Sequence, residues 1–301
     1  MSAGGDGVGP APRTVAQALA TAQQRGVDRL DTQWLLAHHL QRPRSWLLAH
    51  DDAVLDAATA MRFTADLQRR ADGVPLAYLT GWRGFHGLRL AVGPDVLDPR
   101  PDTETLVDWA LDLLGRGPDG AAGADPRLAH VPTPQVLDLG TGSGAIALAL
   151  AAACPLALVH ASDTSAAALA RAAANAQALG LSLHTLQGPW WQAAAQADLP
   201  PLHLAVSNPP YLADDDPHLP ALRHEPRQAL VPADGDALSD LRQLVAGAPA
   251  HLAPGGWLLL EHGHDQGPAV AALLQAAGFQ AVAHRQDLAG HLRCTGGRWP
   301  D

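Results

Sequence analysis

The 301-residue chain contains no lysine; all twenty of its basic side chains are arginine. That absence excludes a lysine Schiff base and the lysine of a phosphate-cradling P-loop. Cysteine is scarce, with only Cys154 and Cys294, and their separation fits no metal-ligating spacing. So few thiols suit a reducing compartment, and cytosol is the expected location. No segment approaches the roughly 18 uninterrupted apolar residues of a membrane span. The opening "MSAGGDGVGPAP" lacks the basic and then apolar pattern of a secretory signal, so residues 1–12 are expected to form a disordered tail. No internal repeat is present.

What the chain does carry is unevenly charged. The net charge is −10, yet residues 1–90 hold 10 Arg against 8 Asp, and residues 91–301 hold 10 Arg against 22 acids. An acidic C-terminal part argues against a grip on a nucleic-acid backbone there. The apolar fraction of 47% is that of an ordinary globular protein.

Periodicity divides the chain. From about Thr14 to Asp72, apolar residues recur at three- and four-residue spacing with Gly and Pro at the joints, which predicts a small helical bundle over 13–80. Residues 81–98, "GWRGFHGLRLAVGPDVLD", turn to short glycine-punctuated segments and predict a β-hairpin connector. From about Gln135, strands such as "VLDLG", "LALVHASD", "LHLAVSNPP" and "GWLLLEHG" alternate with helices, and two strands close the chain. This βα alternation predicts an α/β, doubly wound, mostly parallel sheet within residues 99–301, with ligands beyond the carboxyl ends of the strands. The Gly/Pro-rich stretch 115–134 reads as a long loop.

Three motifs fall at strand ends. Gly140-Thr141-Gly142-Ser143-Gly144 joins a strand to a helix; its glycines allow positive φ and close backbone approach, and the helix start supplies oriented N–H groups. Gly140, Gly142 and Ala145 also satisfy the dinucleotide pattern G-x-G-x-x-A, so a nicotinamide oxidoreductase stands as a rival, as does a ligand-free tight turn. Asp163 ends the next strand, where a carboxylate can accept both hydrogen bonds of a ribose diol; its plain alternative, shared with Ser165, is a helix N-cap. Asn208-Pro209-Pro210-Tyr211 ends the fourth strand. The Asn208 side-chain oxygen and the Pro209 carbonyl can both accept from one NH₂ group, leaving its nitrogen aimed at an electrophile, while Tyr211 can stack on a planar group. Trp190 and Trp191 divide between core packing and an adenine contact. His262 and His264 lack a third ligand, so no metal is expected.

These residues resemble a known family. Gly140 to Gly144 after "LDL", Asp163, Asn208 to Tyr211, "LDPRPDTETLVDWAL" and "LLLEHG" look like the bacterial PrmC/HemK protein-(glutamine-N5) methyltransferases, over about residues 14–299. The resemblance implies a seven-stranded Rossmann-like methyltransferase sheet and S-adenosyl-L-methionine as cofactor. It implies that Gly140 to Gly144, Asp163, Trp190 and Asn208 contact the cofactor. Asn208, Pro209, Pro210 and Tyr211, with Arg100, would bind and orient the target, and the helical domain would recognise the protein substrate. That substrate would be the glutamine of the GGQ motif in peptide chain release factors, with no membrane, metal or direct nucleic-acid partner.

NPPY is shared with adenine-N6 DNA methyltransferases and with the ribosomal protein L3 glutamine methyltransferases. The arginine-proline-acid run at 100–104 separates the chain from the L3 enzymes, whereas "LRHEP" at 222–226 is closer to them. Two departures stand out: Pro189 where an acid commonly precedes the tryptophan, and Asp98 where an apolar residue usually precedes Pro99.

Overall fold

The structure, a computed structural model, describes residues 11–117 and 123–301. Most of the expected tail and five residues of the 115–134 loop lie outside the described residues. The chain divides at Gly81 into two compact units.

The first unit is helical because its polar residues punctuate apolar faces. Thr14 accepts the N–H of Gln17 to start α1, Val15–Gln24; Asp28 accepts from Leu30 and Asp31 to start α2, Arg29–Leu40. After Pro43 comes α3, Arg44–Ala49, and Asp56 caps α4, Ala57–Ala71, before α5, Leu76–Thr80. Leu35, Leu36, Phe63 and Leu67 are completely buried at the centre. Burying such side chains stabilises the bundle by roughly 1.5–3 kcal/mol each.

The second unit opens with a hairpin, β1 Trp82–Phe85 and β2 Leu88–Ala91, turning at His86 and Gly87, both with positive φ. The expected connector is built into this unit. Asn175 accepts the Ala91 N–H at 2.7 Å through its side-chain oxygen, and its NH₂ donates to the carbonyls of Ala91 and Ser143. A 3₁₀ turn at Pro101–Thr103 leads into α6, Glu104–Leu113, and a short α7, Pro126–Ala129.

The sheet follows: β3 Gln135–Leu139, α8 Ala145–Ala153, β4 Leu158–Asp163, α9 Ala166–Leu179, β5 His184–Gln187, α10 Trp190–Gln196 and β6 Leu202–Ser207. Then come α11 Ser239–Gly247, β7 Leu252–Glu261, α12 Gly267–Ala276, β8 Gln280–Gln286 and β9 Leu292–Arg298. Seven strands lie in the order β5-β4-β3-β6-β7-β9-β8; only β9 runs against the rest. Val136, Leu137, Leu139, Leu204, Leu258 and Leu260 are fully buried, as expected of strands covered by helices on both faces.

Connections leave β3 toward β4 and β5 on one side, then cross to β6 on the other. The order therefore reverses between β3 and β6, the position where ligands bind in such sheets. Leu139 stands opposite Ser207 there, and the Ser207 hydroxyl donates to the Leu139 carbonyl at 2.6 Å.

Candidate active site

A cleft of about 870 Å³ opens at this switch point, a size that suits a small-molecule ligand. Gly140, Gly142, Asp163, Trp190, Asn208 and Pro210 all line it.

The glycine loop is shaped by its own backbone. Gly140, Gly142 and Gly144 have φ of 77°, 54° and 84°, the left-handed region that side chains with a Cβ resist. A Cβ on Gly140 would come within 3.3 Å of the Trp190 ring, and one on Gly144 within 3.1 Å of Ala172. Thr141 and Ser143 are buried and face inward, so the loop offers the cleft its backbone. Asp138, not singled out by the motif reading, holds this shape. Fully buried in β3, it accepts the Thr141 hydroxyl at 2.6 Å and the Ala147 N–H at 3.2 Å. Burial pushes its carboxyl up to about 7, against the pull of those two hydrogen bonds. Its only signal in the sequence is an acid two residues before the first glycine.

Asp163 ends β4 half-buried. One oxygen accepts the Gly142 N–H at 3.0 Å, and the other accepts the Ser165 N–H at 2.8 Å. Ser165, not Asp163, caps α9, by accepting from Ala168. A carboxylate has about four lone-pair positions, so two remain for a diol.

The two tryptophans separate. Trp191 is core, donating to the Leu244 carbonyl and stacked on His251. Trp190 faces the cleft with a φ of 40° and donates from its indole to Asp240 at 3.2 Å. Pro189 starts α10 with extended backbone, and Asp240 supplies the carboxylate beside the indole.

At the end of β6, the Asn208 NH₂ donates to the Thr103 hydroxyl at 3.2 Å. Among the described residues no donor is bonded to its side-chain oxygen. Pro209 is buried and Pro210 lines the cleft. Tyr211 is half-buried. Its ring packs against the core, its hydroxyl points to Glu261 at 3.5 Å, and its carbonyl accepts from Gln266. Burial, with the Glu261 charge nearby, raises its phenol far above the usual range.

Arg100, expected to bind the target, lies outside the cleft lining. Its guanidinium pairs with the buried Glu225 and stands 3.8 Å from Asp98, where two carboxylates hold it. Glu225 thereby anchors the segment that brings Pro226 to Ala229 to the cleft. Asp98 gains a physical account, lying between Arg100 and Arg83, with Arg83 at 3.3 Å.

His262 is consumed by hydrogen bonds to Thr295 at 2.6 Å and to the Gly263 carbonyl at 2.7 Å. Among the described residues no group of three or more His, Cys, Asp or Glu is placed to hold a metal, and no helix is long and apolar enough to cross a membrane.

The chain is similar to known proteins. Residues 13–81 match the PrmC N-terminal domain, and residues 126–229 match the methyltransferase small domain. A release factor glutamine methyltransferase of Xylella fastidiosa (strain Temecula1) is 49% identical over 286 residues, covering 94% of this chain and 97% of that protein. One from Burkholderia pseudomallei is 47% identical over 299 residues, covering 97% of this chain and 98% of that protein. A solved 16S rRNA methyltransferase of T. Thermophilus, in complex with AdoMet and guanosine, matches with a TM-score of 0.51 at 20% identity. That match covers 72% of this chain and 49% of the other, and it is a likeness of fold.

Proposed function

The chain belongs to the release factor glutamine methyltransferase family, and from that premise we propose that it methylates the side-chain amide nitrogen of the GGQ glutamine in peptide chain release factors. The observation that carries this reading is the juxtaposition at the switch point. A glycine-loop cleft with a diol-accepting carboxylate lies beside an asparagine whose amide oxygen is left open.

S-adenosyl-L-methionine would supply an electrophilic sulfonium methyl. Gly140 and Gly142 leave room for its backbone-like part, Asp163 has lone pairs for its ribose, and Trp190 with Asp240 borders the place for its base. The protein's own task is the amide. An amide nitrogen is a poor nucleophile because its lone pair is delocalised. Asn208 Oδ1 and the Pro209 carbonyl accept its two N–H groups, which lets the nitrogen pyramidalise toward the methyl while held in line. The nitrogen lone pair would take the methyl as that carbon's bond to the sulfonium breaks, the bonding pair staying on sulfur as a neutral thioether. The nitrogen then sheds one proton to water, so no general base is needed beforehand. The helical first unit recognises the protein substrate, and the enzyme works in the cytoplasm, where release factors act.

Labelled S-adenosylmethionine offered with release factor, ribosomal protein L3 and DNA in parallel tests the reading. Label should enter the release factor, and a chain beginning at Gly81 should keep cofactor affinity but methylate intact release factor poorly. Label entering only L3 or DNA would overturn the substrate assignment.

A further inference from the structure

An adenine carries a 6-amino group that donates hydrogen bonds, and a site that selects this base must aim an acceptor at it. We infer that Asp240 is the residue that selects the base, its free carboxylate oxygen accepting a hydrogen bond from the 6-amino group of the cofactor's adenine. The inference rests on the reading of the cleft as the S-adenosylmethionine site.

The cleft residues set where the base lies. Asp163 keeps lone pairs for the ribose, and its backbone carbonyl accepts the Gly188 N–H at 3.0 Å. Gly188 stands two residues before Trp190, so the indole borders the cleft one short turn beyond the ribose carboxylate. An indole supplies a flat apolar face but no acceptor, since its one N–H is a donor. Pro189, just before it, has no polar side-chain atom. The acceptor for the base must come from another element.

Asp240, in the first turn of α11, lines the cleft and is 8% exposed. The Trp190 indole donates to its Oδ1 at 3.2 Å, and the Gln243 amide donates to the same oxygen at 3.3 Å. Among the described residues nothing donates to Oδ2, and that oxygen is not sealed in the interior. An acid could complement the helix dipole equally well from solvent, so that role leaves the burial of Asp240 unexplained. Burial pushes its carboxyl up, against the pull of the Trp190 hydrogen bond and with the help of Asp234. A donor on Oδ2 would relieve that penalty on the charged form. The other acids of the cleft are engaged elsewhere: Asp95 pairs with Arg171, and Asp214 with Arg227.

Calorimetry at pH 8 tests this with two ligands, S-adenosylhomocysteine and its 6-deamino counterpart, in which hydrogen replaces the amino group. The full-length wild type should prefer the amino ligand by about tenfold or more, as expected for a charge-assisted hydrogen bond. Asp240→Asn keeps an oxygen for the Trp190 and Gln243 donors, so its NH₂ would face the cleft in place of Oδ2. Its preference should fall to within about threefold of unity. Asp240→Ala, measured in parallel, should lose the preference too and decides if the asparagine variant does not fold. A residue that only held Trp190 in place would change the two affinities by the same factor. A wild-type preference near unity, or one that survives in the variants, would overturn the inference while leaving the cofactor reading standing. Failure of both ligands to bind the wild type would overturn the cofactor reading, and the inference with it.

Discussion

The ends of β3 and β6 lie side by side, Leu139 opposite Ser207, yet they are built by opposite means. The β3 end is made of glycines at positive φ, pinned from below by Asp138 and from the side by Asp163, and it meets the cleft with backbone. The β6 end is made of two prolines and meets the cleft with a side-chain amide held by Thr103. A bound nucleoside needs close approach and many donors, which glycines and a helix start supply. A weak nucleophile needs one fixed geometry, which two prolines and a tethered side chain supply. On the proposed function, binding and orientation divide between neighbouring strands.

The largest break in that comparison should come from Asn208→Ala. Losing a group whose interaction strengthens as the nitrogen pyramidalises should lower the single-turnover rate constant by on the order of 10²-fold or more, with little change in release-factor affinity. Rapid-quench kinetics under saturating cofactor would read it.

Asp163→Ala should act on the other side. Removing a charge-assisted contact to a diol should weaken cofactor binding by roughly 1.5–3 kcal/mol, about 10- to 150-fold, while the rate at saturating cofactor stays near wild type. Because Ser165 caps α9, the variant should stay folded. Calorimetry showing unchanged affinity would reduce Asp163 to a loop tether.

The smallest effect sharpens the comparison through Asp138. Its folded carboxyl sits at about 7, above the unfolded value of about 3.9. Between those values the folded state holds a proton that the unfolded state has released. The stability this group contributes is therefore present below about pH 4 and lost as pH rises through about 7. Asp138→Asn cannot ionise, so its stability relative to wild type should rise between pH 5 and pH 8. Parallel thermal melts at the two values check the sign, and a difference independent of pH would contradict it.

Much of this was legible in the sequence, for identifiable reasons. The sheet, the helical first unit and the contiguous motifs are local patterns: a glycine loop after a strand, an acid at the next strand end, two prolines after "LAVSN". Partners far apart in the chain were not. Asn208 meets Thr103 across 105 positions, and the hydroxyl of Tyr211 meets Glu261 across 50. No spacing rule foretells either contact. The pairing of Arg100 with Glu225, 125 positions away, was equally out of reach of the sequence. Trp190 and Trp191 are neighbours with the same chemistry, and only the turn into α10 separates the cleft ring from the core ring.

The division of labour is tested most directly by the cofactor affinity of Asn208→Ala, measured by calorimetry beside Asp163→Ala. The account predicts a dissociation constant within about fivefold of wild type for the alanine variant at 208, well short of the loss at 163, although its methylation rate collapses. An affinity loss as large as that of Asp163→Ala would mean that Asn208 chiefly holds the cofactor, and the separation of the two strand ends would fail.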